Sequence, residues 1–134
     1  MPAAPVLDSF ALLRFLRDEP GAEVIELILE KARQRDQPVH MTEVNYAEVQ
    51  YIVRRKDGNE AWAEIVSELQ TAPIEFHAAD RGLADSAADF KARHKMSLAD
   101  AFAAALAKER KTELVTADPE FKALEGEIKI NWLK

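Results

Sequence analysis

The chain predicts an α/β fold with a mostly parallel central sheet, on three observations. Short apolar runs alternate with longer helical patterns along its 134 residues, as repeated βα units require. Turn and cap residues separate those runs. Four acids, Asp8, Glu48, Asp100 and Asp118, each fall where a strand has just ended or a helix has just begun. In a parallel α/β sheet such junctions gather along one edge, where these folds bind ligands.

Taken in order, Pro5-Val6-Leu7 reads as a short first strand, after which Asp8 or Ser9 caps a helix carrying Leu12, Leu13, Phe15 and Leu16. Asp18-Glu19-Pro20-Gly21 breaks it. Val24, Ile25, Ile28, Leu29 and Ala32 recur at helical spacing, and Pro38-Val39-His40-Met41 follows as a second strand. Thr42 caps a helix whose predicted buried stripe is Val44, Ala47, Tyr51 and Ile52. Gly58-Asn59 separates this from a stripe of Trp62, Ile65, Val66 and Leu69, and Pro73-Ile74-Glu75-Phe76 reads as a third strand. A helix from about Asp80 carries Leu83, Ala84 and Ala87. Ser97 caps an alanine-rich helix with Ala99, Phe102, Ala103 and Leu106 on one face. Glu113-Leu114-Val115-Thr116 is the next strand, Asp118-Pro119 starts a short helix, and Ile128 to Trp132 alternates as a final strand.

The length suits one domain spanning residues 1–134, with no internal repeat, linker or low-complexity tract. A hydrophobic fraction of 48% and a charged fraction of 31% exclude disorder as a serious competitor. No apolar run reaches the roughly 20 residues of a membrane helix. The amino terminus lacks the basic flank and apolar stretch of a signal peptide, so a cytoplasmic location is expected. The absence of cysteine excludes disulfides, thiol catalysis and zinc–thiolate sites, which favours oxygen ligands. A net charge of −6 is unusual for a protein that grips nucleic acid by charge alone. Carboxylates concentrated in one pocket around a divalent ion reconcile the two, because the ion itself attracts phosphate.

Each acid also has a structural reading. Asp8 serves as a helix cap, Asp118 before Pro119 does the same, and Asp100, three residues after Ser97, fits a capping box. Glu48 has no such role. It lies within the apolar stripe of its helix, where an ionised carboxylate needs a basic partner or a metal. A metal accounts for all four acids at once, and all-oxygen ligation suits Mg²⁺ or Mn²⁺. Two such ions about 4 Å apart activate the attacking water and stabilise the leaving oxygen of an in-line displacement. Ser9 and Thr116 stand beside Asp8 and Asp118 as hydroxyls for a ligand or for local backbone, and Asn45, one turn before Glu48, is placed to orient it. His40, His77 and His94 show no paired spacing suited to a metal and read as strand or surface residues. There is no phosphate-cradling glycine loop and no serine hydrolase elbow.

With these segments in view, the sequence resembles the PIN-domain ribonucleases, and within them the VapC-type toxins of toxin–antitoxin pairs. The matching stretches are Val6-Leu7-Asp8-Ser9, Asn45-Tyr46-Ala47-Glu48-Val49, Ser97-Leu98-Ala99-Asp100-Ala101, Val115-Thr116-Ala117-Asp118-Pro119-Glu120-Phe121 and the terminal Ile128 to Leu133. Their order and spacing carry the resemblance more than any one of them. It implies a PIN-like three-layer α/β/α sandwich and Mg²⁺- or Mn²⁺-dependent cleavage of RNA. Asp8, Glu48, Asp100 and Asp118 would be the acidic ligands and Thr116 the accompanying hydroxyl. It further implies a homodimer, silenced by a small VapB-type antitoxin whose tail enters the acidic pocket. Glu43 is not carried over. The polar Glu75 in the third strand and the short second strand depart from the pattern.

Three alternatives compete. A phosphoacceptor receiver domain needs an acidic pair near the first strand, whereas Asp8 stands alone. A two-aspartate phosphatase needs an acid where Phe10 stands. A non-catalytic PIN-like binding module is favoured if Glu48 is salt-bridged and no metal binds.

Overall fold

Strand and helix alternate in the order the hydrophobic pattern dictates. The computed structural model describes residues 3–133. They form β1 (Val6–Leu7), α1 (Ser9–Leu16), α2 (Ala22–Arg35), β2 (Val39–Thr42), α3 (Glu43–Lys56), α4 (Asn59–Thr71), β3 (Ile74–His77), α5 (Arg81–Arg93), α6 (Leu98–Arg110), β4 (Leu114–Thr116), a 3₁₀ helix (Pro119–Leu124) and β5 (Ile130–Trp132). The five strands lie in the order β3-β2-β1-β4-β5, and every pairing is parallel.

Side chains of successive strand residues point to opposite faces of a sheet. Leu7, Val39, Met41 and Val115 accordingly pack with Leu12, Ile25, Leu29, Val49, Val53, Trp62 and Leu69 from α1 to α4. Val6 and Leu114 turn the other way, onto Leu83, Phe90, Leu106, Phe121 and Leu124. The result is a three-layer α/β/α sandwich in which both faces of the sheet are covered, as all-parallel sheets require.

The caps explain why the helices begin where they do. Asp8, Thr42, Asp80, Ser97 and Asp118 each accept a hydrogen bond from a backbone N–H of the first turn that follows. The break between α1 and α2 uses Gly21 at φ 97°, a left-handed conformation that a Cβ disfavours.

Two predicted faces are corrected. In α3 the buried line is Asn45, Val49 and Val53, flanked by the half-buried Tyr46 and Ile52, while Ala47 is exposed and Tyr51 is 47% exposed. The face was misplaced because its centre is a polar residue, Asn45, which a reading by hydrophobicity passes over. Tyr51 instead lies on the surface beneath the Arg55 guanidinium, 5.2 Å from the ring centre. In α6 the single predicted face becomes a helix buried all round from Asp100 to Ala107, because α6 packs on α5, on α3 and on the sheet. Its alanines permit that close approach.

Candidate active site

The order of strands reverses once. The chain runs outward from β1 to β2 to β3, then returns across the sheet to lay β4 on the other side of β1. Crossovers leaving β1 and entering β4 lie on opposite faces, which opens a crevice beyond their carboxyl ends. Asp8 follows β1 directly, and Asp118 stands two residues past Thr116, the last residue of β4. Thr42 ends β2 and launches α3 with Glu48, and α6 presents Asp100 in its first turn.

Asp8 is fully buried. One carboxylate oxygen, Oδ1, accepts from the Ala11 amide at 2.8 Å, so the predicted capping role is real. The other, Oδ2, accepts from the Thr116 hydroxyl. Thr116 Oγ1 in turn accepts from the Asp118 amide at 3.0 Å, so one buried hydroxyl ties the two junction acids together. Burial pushes the Asp8 carboxyl up to about 6; the charges of Asp118 and Glu48 add to that, and the bonds from Thr116 and Ala11 oppose it.

Asp100 is 5% exposed, and its amide donates to Ser97 Oγ at 3.1 Å, half of the predicted capping box. Its carboxyl is pushed up to about 8, first by burial, then by the charge of Asp118 and a hydrogen bond shared with it, then by Asp8 and Glu48. The sequence separation between these acids reaches over a hundred residues, yet their charges act on one another. Asp118 Oδ1 also accepts from the Glu120 amide at 2.9 Å, capping the 3₁₀ helix.

Glu48 lies on the rim of the buried face of α3. Its Oε1 is buried without a hydrogen-bond partner, and among the described residues Glu48 joins no ion pair. The salt-bridge reading therefore fails. A buried, unpartnered carboxylate oxygen beside two acids pushed toward protonation is a setting that a cation would relieve. The donors are all carboxylate oxygens, which suits a hard divalent ion. Among the described residues no three of the four acids bring oxygens within 4.8 Å of one another.

Two sequence expectations change here. Asn45 makes no hydrogen bond to Glu48. Its Nδ2 donates to Ser9 Oγ at 2.9 Å and to the Ala99 carbonyl at 3.1 Å, its amide donates to Thr42 Oγ1, and its Oδ1 accepts from that hydroxyl. It thus pins α1, α3 and α6 together at the crevice. Ser9 is 1% exposed and is spent on Asn45, so it serves the fold and not a ligand.

A PIN-domain family profile matches residues 6–127. The chain belongs to the PIN domain family. No curated protein sequence matches it. Among solved structures, the PIN fold superposes on VapBC2 of Rickettsia felis bound to a DNA fragment from their promoter, at TM-score 0.75 and 16% identity over 96% of this chain and 98% of the other. It does so equally on DNA-bound VapBC of Salmonella typhimurium, at TM-score 0.75 and 19% identity over 98% of each. VapBC-5 of Mycobacterium tuberculosis, a member of the VapBC family of toxin–antitoxin systems, is 24% identical at TM-score 0.62, over 99% of each chain. At such identities the likeness is one of fold. Each likeness covers nearly the whole of both chains.

Proposed function

We propose that this PIN protein is a metal-dependent endoribonuclease, the VapC-type toxin of a toxin–antitoxin pair, with Asp8, Glu48, Asp100 and Asp118 holding Mg²⁺ or Mn²⁺. The observation that carries the reading is the unpartnered Glu48 Oε1 beside the mutually repelling Asp8 and Asp100. PIN-family membership and structural neighbours that are toxin–antitoxin complexes support the biological context. When bound, the ion supplies positive charge beside a phosphodiester and acidifies the attacking water.

The chain's own residues prepare that chemistry. Thr116 acts as a positioning residue, fixing Asp8 and Asp118 through a single hydroxyl. Burial and the neighbouring acids push Asp100 toward protonation, and a cation displaces that proton, so affinity for the ion rises with pH. Asn45 holds the three helices that frame the crevice. Placing the ion among four acids also answers the net charge of −6, since the phosphate then meets a cation and not the carboxylates. Phosphate contacts away from the ion fall to basic side chains. Of the candidate arginines, Arg17 is bound to Asp57 at 2.9 Å, Arg14 to the Pro20 carbonyl at 3.1 Å and Arg54 to Asn59 Oδ1 at 2.9 Å, while the exposed Arg55 lies over the Tyr51 ring.

A cognate VapB-type antitoxin, a homodimeric state and a cytoplasmic setting complete the proposal. No described helix is long and apolar enough to cross a membrane. Cleavage of a mixed structured-RNA pool in Mn²⁺, lost on adding EDTA and absent for a DNA pool, is the expected result. Metal-independent cleavage would overturn the metal reading, and binding of a partner with neither metal uptake nor cleavage would favour the non-catalytic module instead.

A further inference from the structure

Away from the acid crevice, at the outer edge of the sheet, three more donors converge. His40 on β2 pairs across the ladder with Glu75 on β3, and Thr42 pairs with His77. Residues 40, 75 and 77 therefore share one face, by the two-residue period of a strand. His40 Nδ1 lies 2.8 Å from His77 Nε2, which lies 3.2 Å from Glu75 Oε2. The donor atoms of all three fall within 4.8 Å of one another. The charges that act on His40 are those of Arg110, His77 and Glu75, and none of the four crevice acids is among them.

Protons alone satisfy this trio badly. His77 Nε2 faces both His40 Nδ1 and Glu75 Oε2, yet a ring nitrogen carries at most one hydrogen. If that hydrogen points at Glu75, His40 Nδ1 loses its partner. If Nε2 is bare, it accepts from His40 while its lone pair confronts a carboxylate oxygen. A cation between the three atoms serves all of them at once.

We propose that His40, His77 and Glu75 form a second cation site, for a zinc-class ion and distinct from the acid crevice. Two imidazoles and one carboxylate with an open position make a three-ligand zinc set. Imidazole donors favour zinc over Mg²⁺, the reverse of the all-carboxylate crevice. Two nitrogens on a tetrahedral zinc stand about 3.4 Å apart, so the 2.8 Å contact must open slightly. Glu75 is exposed and His77 half-buried on an edge strand, which lets them give way, while the buried His40 provides the fixed ligand. Burial, with Arg110 and then His77, pushes the His40 imidazole down to about 4, keeping it neutral and ready to ligate. The bound ion would clamp the edge strand β3 to β2.

The test uses the full chain with any affinity tag removed. Zn²⁺ is titrated calorimetrically into wild type, Asp8→Asn/Asp100→Asn, His77→Gln and Glu75→Gln, with imidazole NMR signals followed in parallel. The expected result is one equivalent of Zn²⁺ bound by the crevice variant, the same event in wild type beside any uptake by the crevice acids, and that event weakened at least about tenfold in His77→Gln. The His40 and His77 ring signals should shift with Zn²⁺ and not with Mg²⁺. Melting temperature should rise with Zn²⁺ in the crevice variant. Should His77→Gln fail to fold, the Glu75→Gln affinity and the wild-type ring signals decide the matter. Zn²⁺ binding that vanishes with the crevice acids, that is unchanged in His77→Gln and Glu75→Gln, or that leaves both rings undisturbed overturns the proposal.

Discussion

Replacing Asp100 by Asn should make the metal-free protein more stable, by an amount that grows with pH. Asp100 is 5% exposed and its carboxyl stands at about 8 against 3.8 for a free side chain. A group whose folded pKa is raised favours the folded state below the unfolded pKa, and that advantage is lost as pH rises through the folded value. At pH 7 the folded chain must still draw a proton onto Asp100, at a cost of about 4 kcal/mol at most. Part of this belongs to the pair with Asp118, and an Asn amide can still donate to that carboxylate. The expected gain is therefore about 2–4 kcal/mol at pH 8, falling to near zero by pH 4. Urea denaturation in EDTA across this range measures it through the shift in midpoint at constant slope. Saturating Mn²⁺ should reverse the ranking, because only the wild type gains the full binding energy. A variant equally or less stable at pH 8 in EDTA, or a gain that ignores pH, would refute the idea that the crevice acids strain the metal-free fold.

Further substitutions probe the supports. Thr116→Val removes the donor to Asp8 and the acceptor of the Asp118 amide, and should cost about 2–3 kcal/mol of stability by urea titration while moving the pH dependence of cleavage upward. Asn45→Ala leaves Ser9, Thr42 and the Ala99 carbonyl without their partner, so a loss of about 3 kcal/mol is expected. Gly21→Ala should lower stability by about 1–2 kcal/mol through its φ of 97° alone, since an added Cβ would meet Leu133 only at an ordinary 3.7 Å. A neutral effect in calorimetry would show that the turn relaxes.

Much of this arrangement could be read from the amino acids because the signals were local. Proline, glycine and cap residues mark every break between elements, and four of the five caps, at Asp8, Thr42, Ser97 and Asp118, were foreseeable as such. The acids could be grouped because a parallel sheet sends every strand-to-helix junction to one edge. What escaped depends on tertiary contact. The α3 face centres on Asn45, whose polarity is satisfied only by Ser9, Thr42 and Ala99 from elsewhere in the fold. Buried polar hubs look like surface to a hydrophobicity pattern. His40, Glu75 and His77 were dismissed or taken as irregular because their meeting depends on the β2–β3 register, which no run within one strand reveals. The Glu75-Phe76-His77 alternation was the available hint, since it places two donors on one face.

Whether Asp8, Glu48, Asp100 and Asp118 hold the ion needed for RNA cleavage is decided by the cleavage rate as a function of Mn²⁺ concentration, compared between wild type and Asp100→Asn. The expected result is saturable, EDTA-sensitive cleavage by wild type, and a rate at least about a hundredfold lower in the variant despite its intact fold. Equal rates for the two proteins at every Mn²⁺ concentration would contradict it.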